Sequence, residues 1–335
     1  MKDISTTDDT SWKAWFGVES MFFVYFLKEW IDHVELMFKL PFFSCAPGKN
    51  VIKVVTKKLY VDWRSINGFY QFLDVFLYIL QHYPPNSKTF SNLMTSMIRC
   101  EPKLLNYYLR ISLSRTPLNN IPLVAASLAK IQSWFNEFGV LGLPIPPDFD
   151  IPYFCSVLEI LFETDHHQIL CRLLSFLYDI MDYFGGDPRK ALMSFLLDKY
   201  FFSLFLHWDT VTRNYFHQFI LWKTTRLKRK ILKTNSIDDI KNVYPSFMDP
   251  EVEVRSDVTI YSKIQCLIQN IEDQVRDNNC QYFDKNLMPY TLPALTEYKN
   301  FLSRNEVWAE SSSNSWKLNP LFLIDSSVGR KSTMV

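Results

Sequence analysis

Three groups of residues in this chain have the types and spacing that chemistry needs. The first is a run of cations. Lys223, Arg226, Lys228, Arg229, Lys230 and Lys233 fall within eleven residues with no acid among them. Such a cluster can contact anionic lipid, at about 1 kcal/mol per basic residue near a charged surface. It can also contact nucleic-acid phosphate or serve as a nuclear-import patch. The plainer reading is that cations gather at a helix C-terminus, where the macrodipole favours them, and stay solvated. That reading ranks first, an anionic surface or partner second and nucleic acid last.

The second group is Glu163-Thr164-Asp165-His166, a Glu-x-x-His spacing of the kind that binds metal in carboxylate-bridged helical bundles. A second Glu-x-x-His is missing, and Asp165 reads as a helix cap, which puts a corner inside the motif. His166 and His167 would point about 100° apart on a helix and do not share one metal easily. A metal-dependent enzyme built on Glu163 and His166 is therefore a minor alternative, and no metal, cofactor or catalytic residue is assigned. The third group is His207-Trp208-Asp209, read as a structural corner in which the indole packs and the imidazole bonds a free carbonyl. Arg213 is expected to pair with Asp209 at i, i+4 on an exposed helix face. No GxSxG, GxGxxG, Gly-Lys-Ser/Thr phosphate loop or HExxH occurs in the chain. With 8 Gly in 335 residues, glycine-rich phosphate cradles are disfavoured.

These groups must be positioned by helices. Residues 187–233 read as two helices joined at the His207 corner, the first capped by Asp187 with Pro188 in its first turn, the second by Asp209. The second half of the first helix is apolar almost all round, so other elements must enclose it. Before it, Phe69, Phe72, Leu73, Phe76, Leu77 and Leu80 form a helical stripe that ends at Pro84-Pro85. Helices are predicted at 18–38, 87–99 and 102–112. Another begins near Pro122, with Gly139 as its stop, and two more cover 153–163 and 165–184. The β-formers among lysines at 51–61 read as a short hairpin or an extended crossing. Helices at 257–303 complete the fold.

The domain scheme is a disordered N-terminus at 1–11, a helical subdomain at 12–138, a proline-rich connection at 139–152 and a central core at 153–233. After these come an acidic loop at 234–256, C-terminal helices at 257–303 and a flexible tail at 304–335. Hydrophobic residues are 48% of the chain and aromatics 16%, with a net charge of +1, so no global field selects nucleic acid or membrane. Six Cys without a CxxC pair read as reduced thiols. The acidic, polar start is neither a secretory signal nor a transit peptide, and the apolar runs fall short of the roughly 18 to 20 residues that cross a bilayer.

One stretch carries a resemblance. QILCRLLSFLYDIMDYF from Gln168, then FLLDKYFFSLFLHWDTVTRNYFHQFILWK ending at Lys223, resembles an uncharacterised fungal family of helix-rich proteins, domain of unknown function 1765, UPF0592-like. The specific points are Leu177-Tyr178-Asp179, Leu206-His207-Trp208, Val211-Thr212-Arg213, Tyr215-Phe216 and Leu221-Trp222, within roughly 153–233. The resemblance brings no catalytic residues. It implies relatives that are longer, some of them described as membrane proteins, and hence a chain that is a compact form of the family.

The expected fold is all-α, an irregular armadillo/HEAT-like helical array or a multi-helix bundle. The expected function is a non-enzymatic scaffold or adaptor binding partner proteins. The alternative is a peripheral membrane protein that meets anionic lipid through 223–233. A cytoplasmic location is expected, peripheral to membranes in the alternative reading, with the nucleus left open.

Overall fold

A computed structural model describes residues 22–39, 42–44, 53–55, 61–82, 88–141, 143–225, 248–277 and 282–311. The described residues form an all-α protein of twelve helices and one two-stranded antiparallel ribbon. The chain divides into two compact units, Met1–Ile111 and Ser112–Val335.

In the first unit, α1 (Phe22–Lys39) packs on α3 (Lys88–Cys100) and buries Phe23, Val24, Leu27 and Ile31 along one stripe. The β-formers resolve as the hairpin: β1 (Phe42–Ser44) pairs with β2 (Lys53–Val55), Phe43 opposite Val54. α2 (Phe69–His82) uses the stripe read from sequence, with Phe69, Leu73, Phe76 and Leu80 all buried. The division between the units falls in the last turn of α4 (Leu104–Ser114).

The second unit holds most of the helices. α5 (Ile121–Leu141) packs on α7 (His167–Ile180), and α7 in turn on α10 (Thr210–Ile220). α5 runs through Gly139 instead of stopping there. The glycine serves close approach: a Cβ at this position would lie 2.6 Å from the Tyr183 ring, so no larger residue fits without displacing the ring. α6 (Ile151–Phe162) starts inside the proline-rich connection, with the Asp150 side chain accepting from the Tyr153 N–H and Pro152 in the first turn.

The predicted central helix is two pieces. α8 (Gly186–Lys199) ends at Tyr200, and the short α9 (Phe201–Phe205) follows. Its cap is Gly185, not Asp187, which lies in the first turn. The expected enclosure is present: Leu192, Leu196, Phe201, Leu204, Phe205 and Leu206 are all buried. C-terminally, α11 (Pro250–Asp277) packs on α8, and α12 (Thr291–Ser311) packs on α10 and α11. Residues 250–256, expected as the end of the acidic loop, are the start of α11. Glu253 and Asp257 lie one helical turn apart, in line with Ile260, Ile264 and Ile268, so the stripe buries them with the isoleucines. Residues 304–311, expected as flexible tail, are the end of α12; residues 1–11, 234–247 and 312–335 lie outside the described residues.

Candidate functional site

The corner between α9 and α10 is held by its own side chains. The His207 imidazole is buried and its Nδ1 accepts the Asp209 N–H at 3.0 Å. That leaves the proton on Nε2, which donates to Asp165 Oδ1 at 3.3 Å. Asp209 caps α10 by accepting from both the backbone N–H and the hydroxyl of Thr212 at 2.8 Å. Those two bonds outweigh burial and hold its carboxyl below the usual range. Trp208 does not pack as expected: its side chain is 54% exposed, beside His207 and His167.

Arg213 is the larger departure. It is buried, and its guanidinium turns away from Asp209 toward α12, where Nε donates to Glu297 Oε2 at 2.9 Å and Nη2 to Oε1 at 2.7 Å. Nη1 donates to the carbonyls of His207 and Trp208, and Nη2 also reaches the Thr210 hydroxyl. One side chain thus satisfies the carbonyls of the corner and fastens α12 by a bidentate pair.

A second arginine fastens α11. Arg189, buried in the first turn of α8, donates from Nη2 to Asp257 Oδ1 and to the Lys223 carbonyl, both at 2.8 Å. Lys223 is buried as well. Its ammonium donates to Asp182 Oδ2 at 2.5 Å and lies 4.3 Å from the centre of the Tyr178 ring. Lys223 therefore leaves the solvated basic cluster to which the sequence assigned it, because it closes a seam between α7, α8 and α11. Arg226, Lys228, Arg229, Lys230 and Lys233 lie outside the described residues.

Glu163 and His166 are not brought together as ligands. Glu163 is the C-cap of α6 and His166 the N-cap of α7, and Asp165 between them has φ 47°, so a turn separates the pair. Asp165 does not cap α7. Glu163 faces Lys199 at 4.0 Å, and the His166 and His167 rings stack 5.2 Å apart. Among the described residues no group of three or more His, Cys, Asp or Glu is placed to hold a metal. Cys155 and Cys171 have their thiols pushed up to about 11 by burial.

Sequence reasoning missed Arg189, Glu253, Asp257 and Glu297. A signal was present for three of the charges involved. Arg189 shares the stripe of Leu192, Met193 and Leu196, Asp257 that of Ile260 and Ile264, and Arg213 that of Phe216 and Ile220. A charge in register with a buried stripe has to be paired.

The class so defined is an all-helical protein whose C-terminal helices are tied to a central core by buried arginine–carboxylate pairs. Residues 105–224 match a family model described as "Protein of unknown function (DUF1765)", so the central region is similar to that family. A Schizosaccharomyces pombe protein described as a UPF0592 membrane protein is 30% identical over 81 residues, 24% of this chain. The match spans only 9% of that relative's length. No solved structure matches the chain. No helix among the described residues is long and apolar enough to cross a membrane.

Proposed function

We propose that the protein is a non-enzymatic helical scaffold, an irregular armadillo-like array that binds partner proteins in the cytoplasm. The observation that carries this reading is a groove of about 260 Å³ formed by the turn after α4 together with α5 and α6. Leu113, Leu118, Val124, Val157 and Ile160 line it, with Leu118 42% and Ile160 50% exposed. Among the described residues no charged side chain lines it, and its polar groups are hydroxyls such as Ser127 and Thr116, already bonded to each other at 2.7 Å. An uncharged surface of this kind suits an uncharged apolar segment of a partner protein, inserting side chains as a helix does in a groove.

The test is a photo-crosslinking residue at position 160 of the full chain, expressed in its native cells. Adducts to one discrete polypeptide, abolished by Val124→Asp in the groove wall, are expected. Adducts that survive Val124→Asp, or none at all, would overturn the reading.

A peripheral membrane role is favoured by one specific observation, the description of the S. pombe relative as a membrane protein. In that reading Arg226, Lys228, Arg229 and Lys230 meet anionic lipid. Flotation with phosphatidylserine vesicles that is lost at high salt and in a variant with those four changed to Glu supports it. Absence of flotation at low salt removes it.

A further inference from the structure

Of the chain's 17 prolines, Pro117 is the one that follows a serine or threonine. The pair Thr116-Pro117 lies in the loop that joins α4 to α5, outside both helices. Arg115, Pro117, Leu118, Asn119 and Asn120 are exposed there, and Thr116 is half-buried. The Thr116 N–H donates to the Leu113 carbonyl at 3.1 Å and the Asn120 N–H to the Pro117 carbonyl at 3.2 Å, which shapes the loop. The Thr116 hydroxyl donates to the Ser112 carbonyl at 2.7 Å. Its one proton is thereby used, so its contact with the Ser127 hydroxyl at 2.7 Å is a bond that it accepts. Thr116, Leu118, Val124 and Ser127 all line the groove described above.

We propose that Thr116 is the phosphorylation site of a proline-directed protein kinase and that its phosphate closes the groove to an apolar partner segment. In the transfer, Thr116 Oγ1 bonds the γ-phosphorus of ATP, the bond from that phosphorus to the bridging oxygen breaks, ADP leaves, and the hydroxyl proton passes to the kinase's base. Proline singles the residue out. It lacks an N–H, so a kinase pocket with no acceptor at that place admits proline and penalises other residues, which would bury a donor unpaired. To reach the kinase the hydroxyl leaves Ser112 and Ser127, a local opening of an exposed loop. The product carries a charge of about −1.5 to −2. It sits beside Leu118 and Val124, where among the described residues no cation lines the groove to meet it. As a dianion it cannot donate to the Ser112 carbonyl, and an apolar segment seated in the groove would have to bury it unpaired. The closure, unlike the site itself, rests on the groove being a partner's seat.

The test incubates the full chain with ATP and an extract of its native cells and maps phosphate by mass spectrometry. Phosphate on Thr116, lost in Pro117→Ala, is expected; Pro117 is exposed, so its replacement leaves the packing of α4 and α5 in place. No phosphate on Thr116, or the same amount in Pro117→Ala, overturns the site. The photo-crosslinking residue at position 160 then reads the groove in the same extract. Adducts that are lost from the phosphorylated chain and kept in Thr116→Val, which cannot accept phosphate, are expected. Adducts that persist on the chain phosphorylated at Thr116 overturn the closure. Phosphate on Thr116 with no adducts in any chain, Thr116→Val included, removes the partner reading of the groove and the closure with it, while the phosphorylation site stands.

Discussion

Arg213 and Arg189 each fasten a C-terminal helix to the region that the family model matches, yet their surroundings differ. Arg213 uses Nε, Nη1 and Nη2, forks both oxygens of Glu297, and faces a carboxylate whose side chain is 24% exposed. Arg189 makes its two bonds through Nη2, leaves Nε buried with no partner among the described residues, and faces Asp257 at 1% exposure. The better-bonded pair is therefore the wetter one. Burial raises both the attraction within a pair and the penalty for an imperfect one, so the dry, undersatisfied pair is where losing a partner does most harm.

Removing the dry partner is expected to have the largest effect. Asp257→Ala leaves the buried Arg189 charge with the Lys223 carbonyl but no carboxylate and is expected to cost about 3 to 5 kcal/mol, read from denaturant midpoints. Glu297→Ala is expected to cost less, about 1 to 3 kcal/mol, since Arg213 keeps its carbonyl partners and water can reach the vacated side. Equal costs for the two would break the comparison.

His217 sharpens it from the side of α10, one turn beyond Arg213. It is fully buried, its Nε2 donates to the Phe205 carbonyl at 3.3 Å, and Nδ1 has no partner among the described residues. Desolvation lowers its pKa from 6.5 to about 3, with the Arg213 charge adding to the effect. The unfolded chain then binds a proton near pH 6.5 that the folded chain refuses until near pH 3. Stability from this group is complete above about pH 6.5 and falls at about 1.4 kcal/mol per pH unit as pH drops between those values. His217→Phe, which keeps a ring in the same apolar space, is expected to flatten that slope in acid unfolding curves; an unchanged slope would count against the buried neutral imidazole. The smallest expected effect is functional. Lys223→Met is expected to leave vesicle flotation unchanged, because its ammonium sits on Asp182 and not on the surface.

Much of the fold was legible because amphipathic stripes report helices directly. The α2 stripe from Phe69 to Leu80 and the Asp209 cap fall where the sequence put them. The errors came where tertiary contacts override local signals. Gly139 reads as a stop, yet Tyr183 across the interface requires a glycine inside the helix. Glu251 and Glu253 read as loop, yet both lie in α11, whose Asp257 is claimed by an arginine 68 residues away. Asp187 reads as a cap, yet Glu253 reaches the Gly186 N–H at that helix start. The candidate site was less legible than the fold. Lys223 carries the same charge as its basic neighbours in sequence, and only the placement of Asp182 and Tyr178 shows that it faces inward.

The central claim is that Arg189 and Asp257 act as one buried unit holding α11 to α8. A double-mutant cycle tests it most directly, with Arg189→Met, Asp257→Leu and both together, each followed by denaturant unfolding. The account predicts that each single change destabilises strongly while the double, which replaces the pair with apolar groups of similar size, recovers about 2 kcal/mol or more of the summed loss. Single losses that simply add in the double variant, to within about 0.5 kcal/mol, would contradict it.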